Sequence, residues 1–244
     1  TYMPQPTNYP FEGNISEVCV FNYALELADV QHLFGNIDDG VGNPMGLDNV
    51  PIAYYKGDKA GFNEEVSNNK WAVPNQMSQG YAFSYPTTDL AASPVHSINC
   101  GKDQSLMSSK FTISFWINPT VLLGYAVLMA RDIYWAANPP YNPQNQGWLL
   151  MVDGTNTNID FMPTGGGGSA SFPLSDMTIG QWHHIAISYT GGTPEAKIYL
   201  NGVLKDTATM TIDYTNLDEA DFFIGARGAN GDPPTLSKDN INAL

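Results

Sequence analysis

Positive charge is scarce in this chain. Its 244 residues carry 10 Lys plus Arg against 24 Asp plus Glu, a formal charge of −14 at pH 7. Arg131 and Arg227 are the only arginines, and the basic residues are spread from Lys56 to Lys238 without a cluster. Nucleic-acid binding needs Lys and Arg to displace counterions from phosphates, so that partner is excluded. An anionic membrane surface would repel the chain for the same reason. Charge of either sign is sparse, at 14% of residues against roughly 25% in an ordinary soluble domain. No apolar run approaches the roughly 18 residues a spanning helix needs, which argues against membrane insertion. The opening Thr1-Tyr2-Met3-Pro4 lacks the basic and apolar regions of a signal peptide, and the expectation is a processed or excised piece of something longer.

Cysteine is nearly absent. Cys19 and Cys100 have no Cys-x-x-Cys neighbour and no zinc spacing with His32, His96, His183 or His184. A disulfide and two buried thiols both remain open, with thiols preferred.

Amides, hydroxyls and glycine take the place of charge, and asparagine alone occurs 22 times. With 43% hydrophobic and 12% aromatic residues the chain has ample material for a packed core, which excludes wholesale disorder. Its length suits one large all-β domain or two small ones.

Most of the sequence reads as short strands between turn signals. Residues 111–118 alternate, with Phe111, Ile113, Phe115 and Ile117 on one face and Thr112, Ser114, Trp116 and Asn118 on the other. Residues 182–189 have strand composition, and 197–200 lead into Asn201-Gly202, a strong hairpin signal that Val203-Leu204 continues. Further strands are expected at 15–21, 52–55, 79–85, 125–130, 147–152, 158–162 and 221–225. One helix is expected from Ala24 to Phe34, with Leu27, Val30, Leu33 and Phe34 on its apolar stripe and Gly35 as cap. The stretch from Gly35 to Pro51 reads as a linker, and Gly165 to Gly168 as a loop. Many short strands with one short helix predict an all-β fold, an antiparallel two-sheet jelly-roll sandwich.

Several segments carry a family resemblance: 109–119, 180–189, 196–204 and 222–226, preceded by Ile52-Ala-Tyr-Tyr55 and Gln79-Gly-Tyr-Ala-Phe83. In this order they resemble a laminin-G-like domain of the concanavalin A-like lectin/glucanase superfamily, in its pentraxin-related branch. The order departs from the family in one respect. The strand-and-helix ending of such domains resembles Phe11-Glu-Gly-Asn-Ile-Ser-Glu-Val18 and Phe21-Asn-Tyr-Ala-Leu25, which here come first. Residues 1–36 would then be the closing strand and helix, 37–50 a linker and 51–244 the jelly roll. The closing piece belongs either to the same domain by circular permutation, to a preceding repeat, or to a neighbouring chain by strand exchange.

Chemistry is thinly signalled. Superfamily members that cut β-glucans resemble one another in a Glu-x-Asp-x-x-Glu or Glu-x-Asp-x-Glu strand, and no such motif occurs here. Asp218-Glu219-Ala220-Asp221 reads as solvated loop charge. His183 and His184, adjacent on a strand, face opposite sides and cannot readily share one ion. No catalytic residue is assigned. The resemblance implies calcium as a candidate cofactor, with Glu17 and Asn68 as metal-binding residues; Asp38-Asp39 could compensate for their thin acidity, though that pair reads first as a solvated linker. For carbohydrate, aromatic faces beside amides are wanted. Tyr134, Trp135, Tyr141, Asn142 and Asn145 supply them, with Trp148 assigned to the core. Asn14-Ile15-Ser16 fits a glycosylation sequon at a strand start.

The sequence thus predicts a non-catalytic recognition or adhesion module, extracellular or on a cell or virion surface, binding a glycan or a surface protein. The alternatives are a structural repeat that binds neighbouring copies of itself and, more weakly, a glycoside hydrolase.

Overall fold

The computed structural model describes residues 9–10, 12–35, 44, 47–48, 50–58, 61–64, 73–74, 83–85, 98–101, 109–122, 124–133, 146–191, 195–214, 217 and 220–225. In chain order the first elements are β1 (Tyr9–Pro10), β2 (Glu12–Phe21), helix α1 (Leu27–Gly35), β3 (Ala53–Asp58) and β4 (Gly61–Glu64). Short pieces follow: β5 (Val73–Pro74), β6 (Phe83–Tyr85) and β7 (Ile98–Asn99). The longer strands are β8 (Phe111–Val121), β9 (Ala126–Ile133), β10 (Gln146–Val152) and β11 (Asn158–Pro163). The chain continues with β12 (Ala170–Pro173), β13 (His183–Tyr189), β14 (Glu195–Leu200), β15 (Val203–Thr209) and β16 (Phe222–Ile224).

These strands form two sheets. One runs β12-β11-β10-β9-β16-β7-β5, and the other runs β15-β14-β13-β8-β2-β3-β4 with β6 also on β2. Every pair is antiparallel except β1 with β9. The expected all-β, two-sheet jelly-roll sandwich with one short helix is what forms. No helix among the described residues is long and apolar enough to cross a membrane.

The core follows from the two-residue period of a strand. Phe111, Ile113, Phe115 and Ile117 of β8 face Trp148, Leu150 and Val152 of β10 and Ile159 and Phe161 of β11 across the sandwich. The hairpin at Asn201-Gly202 forms as expected, both residues having positive φ (51° and 72°). That conformation suits the right-handed twist of the flanking strands.

Strand β2 lies between two partners of its own chain. Its Val18, Cys19 and Val20 pair with Tyr55, Tyr54 and Ala53, while its other edge pairs along β8 from Glu12↔Val121 to Phe21↔Thr112. A bulge between Ser16 and Cys19 puts Glu17 at φ 53°. It keeps Ile15 on the inner face before it, and Val18 and Val20 on the inner face after it.

The outer face of this second sheet is buried too, because α1 lies over it. Val30 and Leu33 pack with Cys19, Phe21, Leu25, Tyr54, Ala186 and Tyr199 in a separate apolar cluster. The helix starts at Leu27 rather than Ala24. Asp29 Oδ2 accepts the Glu26 amide proton, which fixes Glu26 as the cap, and Leu27 is left 44% exposed. Leu25 fills the expected stripe from the loop instead. That loop is tied down by polar groups of the sheet: Thr112 Oγ1 accepts from Leu25 N (2.8 Å) and donates to Tyr23 O, and Ser188 Oγ donates to Leu25 O. At the far end Phe34 stacks on Trp116, with ring centres 5.9 Å apart.

Beneath Phe34 and Trp116 sits His184, whose Nε2 meets Ser114 Oγ at 2.7 Å while Nδ1 has no hydrogen-bond partner. Burial lowers its pKa from 6.5 to about 3, so the ring is neutral at pH 7. Cys19 and Cys100 are both buried thiols and form no disulfide. Burial pushes the Cys19 thiol well above its ordinary pKa, with Glu17 adding to the shift, so it is not a nucleophile.

Two outcomes follow from this packing. Leu33→Ala should cost about 2–5 kcal/mol in urea unfolding, and a loss near zero would show that α1 does not bury its face on the sheet. The unfolded chain binds a proton at His184 near pH 6.5 that the folded chain refuses until about pH 3. Stability from this group is therefore complete above pH 6.5 and lost as pH falls towards 3, by about 2 kcal/mol at pH 5. Urea midpoints of wild type and His184→Gln across pH 7 to 5 should diverge in slope, the variant being flatter.

Candidate functional site

Strands β9 and β10 form a long hairpin whose two ends are the most developed surfaces of the first sheet. At one end Gln146 pairs with Ile133, Gly147 with Asp132 and Trp148 with Arg131. The segment 134–145 therefore leaves and re-enters the sheet on adjacent strands. Its base is rigid. Trp148 stacks on Phe111 (5.6 Å, 26°) and meets Phe161 and Phe222 at 5.8 and 5.9 Å. Arg131, only 1% exposed, is the register partner of both Trp148 and Phe222 and lines a small cavity with them, Val20, Phe111 and Ile113.

Three further segments are knitted to this base. Gly147 N donates to Asp213 O, and Thr164 N donates to Gly147 O. Thr164 Oγ1 donates to Asp132 Oδ2 at 3.5 Å, at the limit of a hydrogen bond. Tyr189 Oη donates to Met210 O and accepts from Ile212 N, which fixes the approach to Tyr214. Burial is the largest influence on the Tyr214 hydroxyl and Tyr189 adds to it, so its pKa is raised despite the opposing charge of Arg131. The described base is thus a set of neutral or acidic hydrogen-bonding groups around buried aromatics.

At the other end of the hairpin, the turn after β10 is organised by Asp153. Its carboxylate accepts from Thr157 N, Thr155 Oγ1 and Thr157 Oγ1, each at 2.7 Å, and from Asn158 Nδ2 at 3.5 Å. Desolvation works against the charge, but these hydrogen bonds outweigh it and hold the carboxyl well below the usual range. Behind it, Asp160 is shifted the other way, first by its own burial and then by Asp153.

The residues expected to bind ligand, Tyr134, Trp135, Tyr141, Asn142 and Asn145, lie outside the described residues, as do Asn68 and Asp38-Asp39. Trp148 is in the core, as expected. Glu17, the other residue expected to bind calcium, is buried, and its Oε2 accepts from the Tyr54 hydroxyl. Calcium takes six to eight oxygens in an open loop, and no group of three or more His, Cys, Asp or Glu among the described residues could hold a metal ion. His183 and His184 diverge as expected: His183 Nε2 accepts from Thr178 N, its Nδ1 meets Asn201 Nδ2, and His184 lies under α1. Both are structural. Asn14 sits mid-sheet between Asn118 and Ser84, a poor acceptor for a bulky glycan.

The Asp153 turn was not singled out by the sequence reading. Its Asp153-Gly154 dipeptide between two strands is the signal that could have found it.

No curated protein matches the chain. Among solved structures, domain 4 of AbnA, a GH43 extracellular arabinanase from Geobacillus stearothermophilus solved in complex with arabinotriose, is similar to it. The two share 18% identity at a TM-score of 0.38, over 91% of this chain and 87% of that one. The family model of the concanavalin A-like lectin/glucanases superfamily matches residues 96–237, more than half of the chain. With its antiparallel two-sheet sandwich, the chain belongs to that superfamily.

Proposed function

We propose that this chain is a non-catalytic recognition module that binds carbohydrate or a surface protein, displayed outside the cell or on a virion. The observation that carries this reading is the base of segment 134–145. The residues flanking it are held on neighbouring strands, in register Gln146↔Ile133, and Trp148 nearby is stacked on Phe111 in the core. Binding residues are commonly held in this way, on loops positioned by a rigid scaffold. Tyr134, Trp135 and Tyr141 would give the stacking faces, and Asn142 and Asn145 the directional hydrogen bonds.

The pairing of β2 with both β3 and β8 of its own chain supports a second part of the reading. Residues 1–36 complete the same domain, in permuted order, with 37–50 as the connection. Exchange of this strand between copies is the competing use of the same segment. A structural, self-associating role is favoured by one feature, the edge strand β15, where Val203 is 57% exposed and Leu204 is also exposed.

A glycan array probed with the full chain separates these roles. A specific hit that weakens about tenfold or more in Trp135→Ala or Tyr141→Ala, with unchanged melting, is the expected result. Concentration-dependent assembly by light scattering with no glycan hit would replace recognition with the structural role. Glucan cleavage that persists through purification would revive the hydrolase.

A further inference from the structure

The tip opposite segment 134–145 holds a side chain that the backbone alone would not select. Tyr125 has φ 64°, in the left-handed region where glycine is the low-cost residue. It nevertheless carries a large ring, 47% exposed. The backbone there is fixed, since Tyr125 N donates to Val152 O at 3.0 Å.

The ring is fixed as well. A Cβ built on Gly154 would collide with Cζ and Oη of Tyr125, so the outer end of the ring lies directly against the Gly154 backbone. The neighbouring contact is equally close: a Cβ on Gly124 would stand 2.6 Å from Asn156 Oδ1. Asn156 itself is at φ 59°, and it is exposed together with Thr155 and Thr157. Two glycines thus let each of these left-handed side chains close on the opposing backbone: Tyr125 on Gly154, and Asn156 on Gly124. One presents a ring and the other an amide.

The chemistry beside the ring is a turn of amides and hydroxyls built on one carboxylate. Asp153 is the acid of this turn, and both of its oxygens accept hydrogen bonds from the hydroxyls, side-chain amide and backbone of the turn. It takes the hydroxyl protons of Thr155 and Thr157, and Thr157 Oγ1 also accepts from Asn158 Nδ2, which leaves acceptor capacity chiefly on Thr155. Asp153 and Asp160 together repel an anion. What remains is an immobilised aromatic face bordered by an amide and hydroxyls, complementary to the C–H face and equatorial hydroxyls of a neutral sugar ring.

We propose that Tyr125, Thr155, Asn156 and Thr157 form a second ligand site on this protein, specific for a neutral pyranose unit stacked on the Tyr125 ring. It lies at the opposite end of β9 and β10 from segment 134–145. The two sites can therefore succeed or fail independently. Occupation of both by one glycan surface would strengthen attachment through effective concentration, without any new contact at either.

The test is a titration of the ¹⁵N-labelled full chain with cellohexaose, xylohexaose and mannohexaose at millimolar concentrations. Saturable shifts are expected at the amides of Tyr125, Gly154 and Asn156 and at the Asn156 side-chain amide. Tyr125→Gly removes the ring while its φ suits the backbone, so the variant should melt no lower than wild type and bind about tenfold or more weakly. Asn156→Gly, at a similar φ, gives a second ring-independent loss. Trp135→Ala should leave these shifts intact. Failure of all three hexasaccharides to shift the tip, or shifts that persist undiminished in Tyr125→Gly, would overturn the proposal. Shifts confined to residues 131–133 and 146–148 would also overturn it, while supporting the recognition role of segment 134–145.

Discussion

The insertion of β2 between β8 and β3 is the constraint on which the rest of the second sheet depends. A strand there must satisfy hydrogen bonds on both edges and packing on both faces. Ile15, Val18 and Val20 complete the sandwich core, while Cys19 and Phe21 floor the cluster under α1. Without this strand, β8 and β3 would present two open edges and α1 would lose most of the surface it covers. The bulge at Glu17 is the local solution that lets one strand serve both faces. Its side chain accepts from the Tyr54 hydroxyl of the neighbouring strand.

Coverage by α1 changes what the sheet can do. Thr112, Ser114, Trp116 and His184 would ordinarily meet water on the outer face, yet all are buried. The polar ones are given short bonds to the loop or to one another. His184 is the exception at Nδ1, and that deficit makes this face a source of acid sensitivity rather than of chemistry. The second sheet is thus covered on its inner face by the sandwich core and on its outer face by α1.

The legibility of this arrangement varied with the range of the interactions involved. The β8 alternation, the Asn201-Gly202 turn and the order of family-like segments are local signals, and each corresponds to an element that formed. The burial of Ser114 and Trp116 was not legible in the alternation, because it is imposed by a helix more than seventy residues away in sequence. The helix start was missed by three residues, because its cap is made by Asp29 reaching back to Glu26. At the first end of the hairpin, composition pointed to segment 134–145, while the stacking around Trp148 emerged from four strands meeting. At the second end no sequence rule places a tyrosine at positive φ. Its reason lies in Gly154, which is 29 residues away along the chain.

The acidity of the chain acquires a more definite meaning at these two ends. A net charge of −14 with no basic cluster disfavours anionic partners everywhere on the surface. Yet the described acids at the ends are engaged: Asp153 by its own turn, and Asp132 in its contact with Thr164. The groups left facing outward at the Asp153 turn are amides, hydroxyls and one tyrosine ring. A surface that repels anions at long range and offers neutral hydrogen bonds at contact distance would, under the proposed carbohydrate role, discriminate by shape and hydroxyl pattern. Electrostatic steering would add little to association with a neutral glycan, so binding should vary weakly with ionic strength.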